Sequence, residues 1–309
     1  MHISLDSALG RQRRLNQVGE TISSIAAPTA AYSLRSLTGG DPKAVRVRRD
    51  TGGAAGDDDE QDFTVSEINS GALVAFVGSG NDGFVSIWYD QSGNGNNLTQ
   101  STADSKQPTI VTSGTLNTRN SEPIIKFIQA NETHLAGASS ILPTGTDIAM
   151  TIFQAMHVDA SSGGRIGLFG HNGGGNNPGT SKYLTGVTGN RRTILKTKDA
   201  SDTVVALNPT SSVSSDDTDA IITYFSSMSD GTGTHAVFNL GAQVQSTFTA
   251  SITDQSYESG NTTILGSRTV SDNFSDSEFF EVLVYASDQL SNRDAIEANL
   301  SSKYGIALS

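Results

Sequence analysis

Trp88-Tyr89-Asp90-Gln91-Ser92-Gly93-Asn94-Gly95-Asn96-Asn97-Leu98-Thr99-Gln100 is the stretch that decides the fold. Its left side continues an apolar run, Phe84–Tyr89, that reads as a strand. Its centre reads as a tight turn. Asp90, Ser92, Asn94 and Asn96 carry short polar side chains that can bond nearby backbone amides, and Gly93 and Gly95 can adopt positive φ. The physical reading is a strand end entering a fold-setting loop. The functional reading is that Asp90 and Asn94 line a sugar or calcium site beside the rings of Trp88 and Tyr89.

Working outward, the same grammar recurs. Strand candidates follow at short spacing: Thr109–Val111, Pro123–Ile128, Ile148–Val158, Arg165–Phe169, Lys182–Leu184, Thr193–Thr197, Thr203–Leu207, Ala220–Ser226, Thr234–Leu240, Val244–Thr249, Thr262–Leu265 and Glu278–Ala286. Upstream, Lys43–Arg49 alternates, with Val45 and Val47 inward and Arg46 and Arg48 outward, as a half-buried strand does. Ala30–Leu37 is read as a short helix closed by Gly39-Gly40, Ser70–Val77 as a second, and residues 50–62 as a loop. At the end, Ser291-Asn292-Arg293-Asp294 has a capping-box pattern. The stripe Ile296/Leu300/Tyr304 and the stop at Gly305 then define a helix that packs on the sheets.

Composition agrees. The 309 residues contain 32 Gly, 41 Ser and 32 Thr, with 17% charged residues. Polar turn formers at that density suit many short strands and argue against a helical bundle or a charge-driven disordered chain. The net charge of −12 predicts no nucleic-acid partner. No apolar run is long enough to span a bilayer, so no membrane insertion is expected. The N-terminus Met1–Asp6 lacks a basic, then apolar, export pattern. Cysteine is absent, which removes disulfides and thiolate metal sites. Residues 1–27 differ from the rest, carrying Arg11, Arg13 and Arg14 on a thin amphipathic stretch. They read as an arm, either loosely ordered or a docking peptide for an assembly, and residues 28–309 as one domain.

Four segments together resemble a known superfamily. They are the Trp88–Gln100 motif, Pro123–Phe127 with Thr133-His134-Leu135, Thr263–Gly266, and Glu278–Tyr285 with its closing helix through Ile306. In this order they resemble concanavalin A-like, laminin-G-like jelly rolls. The resemblance implies an all-β, two-sheet antiparallel sandwich with a C-terminal helix and short N-terminal helical segments. The first hundred residues are most similar to the catalytic domain of fungal-type α-L-arabinofuranosidase B. Phage structural proteins share the same Ala-Tyr-Ser-Leu-Arg opening and Val-Arg-Val-Arg-Arg strand.

Retaining glycosidases need two carboxyl groups about 5–5.5 Å apart. The resemblance places the family's strand-borne carboxylates at Lys196 and Lys198, and its acid near Asp272. One carboxylate without a partner cannot run double displacement. The expectation is therefore no catalytic residue, with Asp272 alone retained for a hydrolase. The family's adjacent cysteine pair is also missing.

The implied function is a bacteriophage virion protein, on the tail or capsid surface, that adheres to host-surface glycan. It would be made in the host cytoplasm, held to other virion proteins by residues 1–27, and present in multiple copies or as a homo-oligomer. The alternatives are an arabinofuranosidase-type glycoside hydrolase and a capsid cement protein that binds no sugar. Candidate sugar contacts are Trp88, Tyr89, Asp90, Asn94, His171, Asn172 and Tyr183, chosen as rings and planar polar groups. For Trp88, core packing at a strand end is favoured over ligand contact. Calcium is the one cofactor suggested, on loop acids Asp57, Asp58, Asp59, Asp272 and Asp276, with Asp216-Asp217-Asp219 as a further group. The five histidines have no metal-ligand spacing and read as structural or solvated.

Overall fold

Ser277–Tyr285 (SEFFEVLVY) is buried at all nine positions, which only a strand covered on both faces allows. A β-bulge opposite Ala155/Met156 shifts its alternation by one residue partway along. Phe279, Val282 and Val284 join one apolar cluster, and Phe280, Leu283 and Tyr285 join another. A computed structural model describes residues 21–52, 59–101, 104–138, 141–142, 145–146, 149–159, 166–172, 183–187, 193–198, 204–207, 217–229, 232–244, 248–250, 256–257, 262–269 and 272–309. The strands between 166 and 207 are described by their backbone.

The strands used below are β1 (Ala30–Ser33), β2 (Lys43–Asp50), β3 (Glu60–Thr64), β4 (Asp82–Trp88), β5 (Leu98–Thr99) and β6 (Thr109–Thr112). They continue with β7 (Ile125–Phe127), β8 (Leu135–Gly137), β9 (Met150–Val158), β10 (Ile166–Asn172), β11 (Tyr183–Val187) and β12 (Thr193–Lys198). The last are β13 (Val204–Leu207), β14 (Thr218–Ser229), β15 (Thr232–Asn239), β16 (Thr262–Leu265) and β17 (Ser277–Tyr285). The α-helices among the described residues are α1 (Ile22–Ile25), α2 (Val65–Asn69), α3 (Ala72–Val77) and α4 (Arg293–Tyr304).

Among the described residues, all strand pairings are antiparallel. One sheet runs β3-β2-β4-β5-β8-β16-β10-β11-β12-β13. The other places β1 and β7 along one side of β17, then β9, β14 and β15 on its other side. Strand β6 pairs with both β4 and β7 and so joins the sheets at one margin. The layers enclose Trp88, Leu98, Phe127, Leu135, Ile152, Leu265 and Phe279. This is the two-sheet antiparallel sandwich that the sequence implied.

Helix α4 covers the second sheet's outer side. Its Ile296, Leu300 and Tyr304 are buried with Phe153, Ile221, Phe280 and Leu283, and Gly305 ends it at φ +66°. Ile22 of α1 belongs to the same cluster, so packing on the sandwich begins by that residue. Residues 1–20 lie outside the described residues, and with them the amphipathic stretch of Arg11, Arg13 and Arg14.

Three local expectations need correction. Ala30–Ser33 is strand, not helix, because it fills the slot beside β17 with Ala30 opposite Val284. The loop expected over 50–62 is partly sheet, since β2 reaches Asp50 and β3 starts at Glu60. Helix α4 starts one residue later than the capping box requires. Asn292 is its N-cap with no side-chain cap bond, and Asp294 pairs with Arg293. A capping box does occur, at Thr64 and Glu67 of α2.

Candidate functional site

The Trp88–Gln100 motif is a clamp on the N-terminal strand. The Asp90 carboxylate accepts from Ala31 N (2.9 Å), Ser92 N (2.9 Å), Ser92 Oγ (2.7 Å) and Asn96 N (2.9 Å). Asn94 and Asn96 both donate side-chain N–H to Thr29 O. The Gln91 amide accepts from Leu37 N and donates to the carbonyls of Ser33 and Arg35. Gly93 and Gly95 sit at φ +88° and +74°, as the turn requires.

These facts correct two candidates. Trp88 is completely buried, 5.9 Å from the Tyr32 ring, so it presents no face to a ligand. Asp90 is saturated by its own turn. Asn94 is exposed, but its amide is engaged on Thr29.

Tyr89 is different. It is half-buried, and its hydroxyl donates to Asp62 Oδ1 at 2.6 Å. Arg46 Nε and Lys43 Nζ also reach Asp62, each at 2.6 Å. The Arg46 hydrogen bond foremost holds the Asp62 carboxyl far below the usual carboxylate range. Desolvation, with Asp62 beside it, pushes the Tyr89 phenol up to about 12. Asp62 falls in the stretch 50–62 that reads as a loop from sequence, which hides its place on β3.

Register extends this cluster across the larger sheet. Arg46 pairs with Ile87, Ile87 with Thr99, Thr99 with Ala136, Ala136 with Ile264 and Ile264 with Gly170. Gly170 then pairs with Leu184, and Leu184 with Lys196. Directly opposed residues share a face, so this row lies on one side of the sheet. It is the side opposite the core, because the neighbouring row holds Trp88, Leu98, Leu135 and Leu265. Seven inter-strand steps of about 4.8 Å give a run of roughly 34 Å. Ile87, Thr99 and Ala136 are half-buried along it, whereas Ile264 and Gly170 are covered.

The same register divides the remaining sugar candidates. His171 is opposite Tyr183 and Thr263, on the parity of core residue Leu265. Asn172, opposite Thr262, falls on the outer parity with Lys196 and Lys198. His171 and Tyr183 are therefore neighbours across two strands but do not share a face with Asn172.

The acidic clusters are engaged elsewhere. Asp59 pairs with Arg49, and Asp276 accepts from Gln129 N at 2.8 Å. Asp217 and Asp219 grip opposite nitrogens of buried His157 at 2.9 and 2.8 Å. Asp57, Asp58 and Asp216 lie outside the described residues. Asp272 starts the strand Asp272–Phe274, which pairs with Ser267–Thr269 in a separate ribbon. Among the described residues, no group of three His, Asp or Glu side chains is placed to hold a metal ion.

No protein-family model matches the sequence, and no curated protein is detectably similar to it. Solved structures are similar in shape. An arabinofuranosidase complexed with arabinofuranosyl-α-1,2-xylobiose aligns at a TM-score of 0.52 and 15% identity, over 91% of this chain and 65% of that one. A GH54 α-L-arabinofuranosidase soaked with a cyclic sulfate inhibitor aligns at 0.50 and 14%, over 89% and 63%. The chain thus spans just under two thirds of their length. At these identities the likeness is one of fold, and the fold is the β-sandwich of the arabinofuranosidases.

Proposed function

We propose that the chain is a glycan-binding sandwich whose ligand lies along the outer face of the larger sheet, without hydrolysis. One observation carries the reading: the accessible part of the row, which runs from Arg46 through Ile87 to the small side chains of Thr99 and Ala136, with Tyr89 at its polar end. Sugars need ring faces to stack on and fixed donors and acceptors for their hydroxyls. Tyr89, pinned by Asp62, and Arg46 are of those kinds, and small residues beyond them leave room for a chain.

Binding is favoured over hydrolysis by sequence on this arm of the sheet. Strands β8, β16, β10, β11, β12 and β13 contain no Asp or Glu. Double displacement needs two carboxyl groups about 5 Å apart, and these strands supply neither. The particle setting is part of the same proposal and rests on the sequence resemblance. There the chain sits on a phage virion, with the residues before Ile22 toward its neighbours. Mass spectrometry of purified particles tests that part, and its absence from them ends it.

The binding test is affinity electrophoresis of the purified chain through gels containing arabinan, xylan, polygalacturonate or dextran. Retardation by at least one polymer is expected, reduced tenfold or more by Tyr89→Ala and little by Tyr89→Phe, which keeps the ring. No retardation by any polymer, or indifference to Tyr89→Ala, overturns the reading. Nitrophenol release from an arabinofuranoside that disappears in Asp272→Asn would instead establish the hydrolase.

A further inference from the structure

Charge is unevenly spread along this chain. Residues 160–198 hold six of the twenty Lys and Arg (Arg165, Lys182, Arg191, Arg192, Lys196 and Lys198) and none of the thirty-two Asp and Glu. Acids resume only at Asp199. The rest of the chain therefore has fourteen basic residues against thirty-two acidic ones. This basic stretch supplies β10, β11 and β12, at one end of the larger sheet.

Register places two of its cations on the outer parity. Lys196 is opposite Leu184 and Ala206, and Lys198 is opposite Val204. Both belong to the face that carries Asn172 and the Arg46-to-Lys196 row, opposite the parity of Leu265. The flanking strands read Tyr-Leu-Thr-Gly-Val and Val-Val-Ala-Leu, so neither offers a strand-borne carboxylate to pair with these lysines. The far end of the row differs, since Asp62 already takes up Arg46 and Lys43.

We propose that the ligand is an acidic polysaccharide, with Lys196 and Lys198 as the positions that recognise its anionic groups. The inference rests on the glycan-binding reading and adds the charge of the ligand. A cationic end on an otherwise acidic protein attracts a polymer with spaced charges and orients it, because the surrounding negative field repels it elsewhere. A nucleic acid is the less favoured polyanion. Its one charge per about 1.7 Å would meet repulsion from the acidic remainder over most of its length.

The test uses the whole chain in affinity electrophoresis against polygalacturonate, its methyl ester and dextran sulfate, with single-stranded DNA as a fourth arm. The methyl ester keeps the sugar backbone and removes the charge. Retardation by polygalacturonate or dextran sulfate is expected, the stronger of the two identifying carboxylate or sulfate as the group read. The methyl ester should bind at least tenfold more weakly. The preference should fade as salt rises from 0.05 to 0.5 M, because screening shortens the reach of these charges. Lys196→Glu with Lys198→Glu should abolish the preference, and the neutral pair Lys196→Gln with Lys198→Gln should weaken it while disturbing the fold less. Lys303→Gln, on α4, should leave it unchanged. Equal retardation by the ester, or indifference to both lysine pairs, sinks the acidic ligand while leaving glycan binding standing. Tighter binding to DNA, lost in the lysine pairs, assigns the patch to nucleic acid and also overturns the proposal. No retardation by any sugar polymer ends the glycan reading itself.

Discussion

Asp90 shows how much of the motif is architecture. One carboxylate accepts four hydrogen bonds, three of them from backbone amides of residues 31, 92 and 96. Removing it leaves partly buried donors without a protein partner, at about 1–3 kcal/mol for each one that water cannot reach. Asp90→Ala should therefore lower unfolding free energy by about 2–4 kcal/mol, and Asp90→Asn by less, since the amide keeps one acceptor oxygen. Urea denaturation measures both, and a loss below about 0.5 kcal/mol for the alanine variant would show the clamp to be decorative. The turn was legible in the sequence because Asp, Ser, Asn and Gly have local partners. A strand end favours core packing for Trp88, and the second sheet covers it completely. His134 was read as structural or solvated, and it is a neutral core group. Its Nδ1–H donates to Glu132 O, so Nε2 accepts from Gln100, and burial holds its pKa below the ordinary value.

At the scale of elements, β1, β17 and α4 meet on one buried carboxylate. Glu281, fully buried at the bulge of β17, accepts from Ser33 Oγ (2.9 Å), Arg35 Nε (2.8 Å) and Tyr304 Oη (2.7 Å). Arg35 also donates to Asn299 on the helix. Removing the cation alone strands a buried charge, so Arg35→Met should cost about 3–5 kcal/mol. Replacing both, with Glu281→Leu added, should restore part of that loss, because an apolar pair needs no desolvated charge. A double-mutant cycle by urea unfolding checks this, and simple additivity would refute it. This network also explains why Ala30–Leu37 misled. Its short-range pattern suits a helix, but Tyr32, Ser33 and Arg35 have their partners some 250 residues away on β17 and α4 or in the Trp88 turn. The helix α4 was legible through its Ile296/Leu300/Tyr304 stripe, a local period, whereas its first residue was set by Arg293 stacking on Phe238 and donating to Gly241 O.

For the whole molecule, the sandwich was legible from strand spacing and turn chemistry, but the candidate face was not. Its row draws on residues 46, 87, 99, 136, 264, 170, 184 and 196, brought together only by register. Periodicity reports a face of one strand, never which strands lie side by side. The larger sheet and α4 also carry carboxyls that respond to pH in opposite senses. Asp62, on the larger sheet, has its pKa depressed, foremost by the Arg46 hydrogen bond, so its contribution is complete above the ordinary value of 3.8 and lost as pH falls below it. Glu297 sits on the buried face of α4, where burial raises its pKa although Thr223 Oγ1 donates to it at 2.7 Å. Its contribution is complete below the ordinary value of 4.5 and lost as pH rises through the raised one. Urea midpoints of the parent, Asp62→Asn and Glu297→Gln from pH 3 to pH 7 should therefore diverge. The Asp62→Asn deficit grows as pH rises and narrows toward pH 3. Glu297→Gln gains on the parent as pH rises, since Gln keeps the Thr223 bond and carries no buried charge. Both gaps staying constant with pH would mean that neither carboxyl couples ionisation to folding. A deficit of Asp62→Asn that widened in acid would reverse the sign assigned to the Tyr89–Asp62–Arg46 cluster at the head of the candidate face.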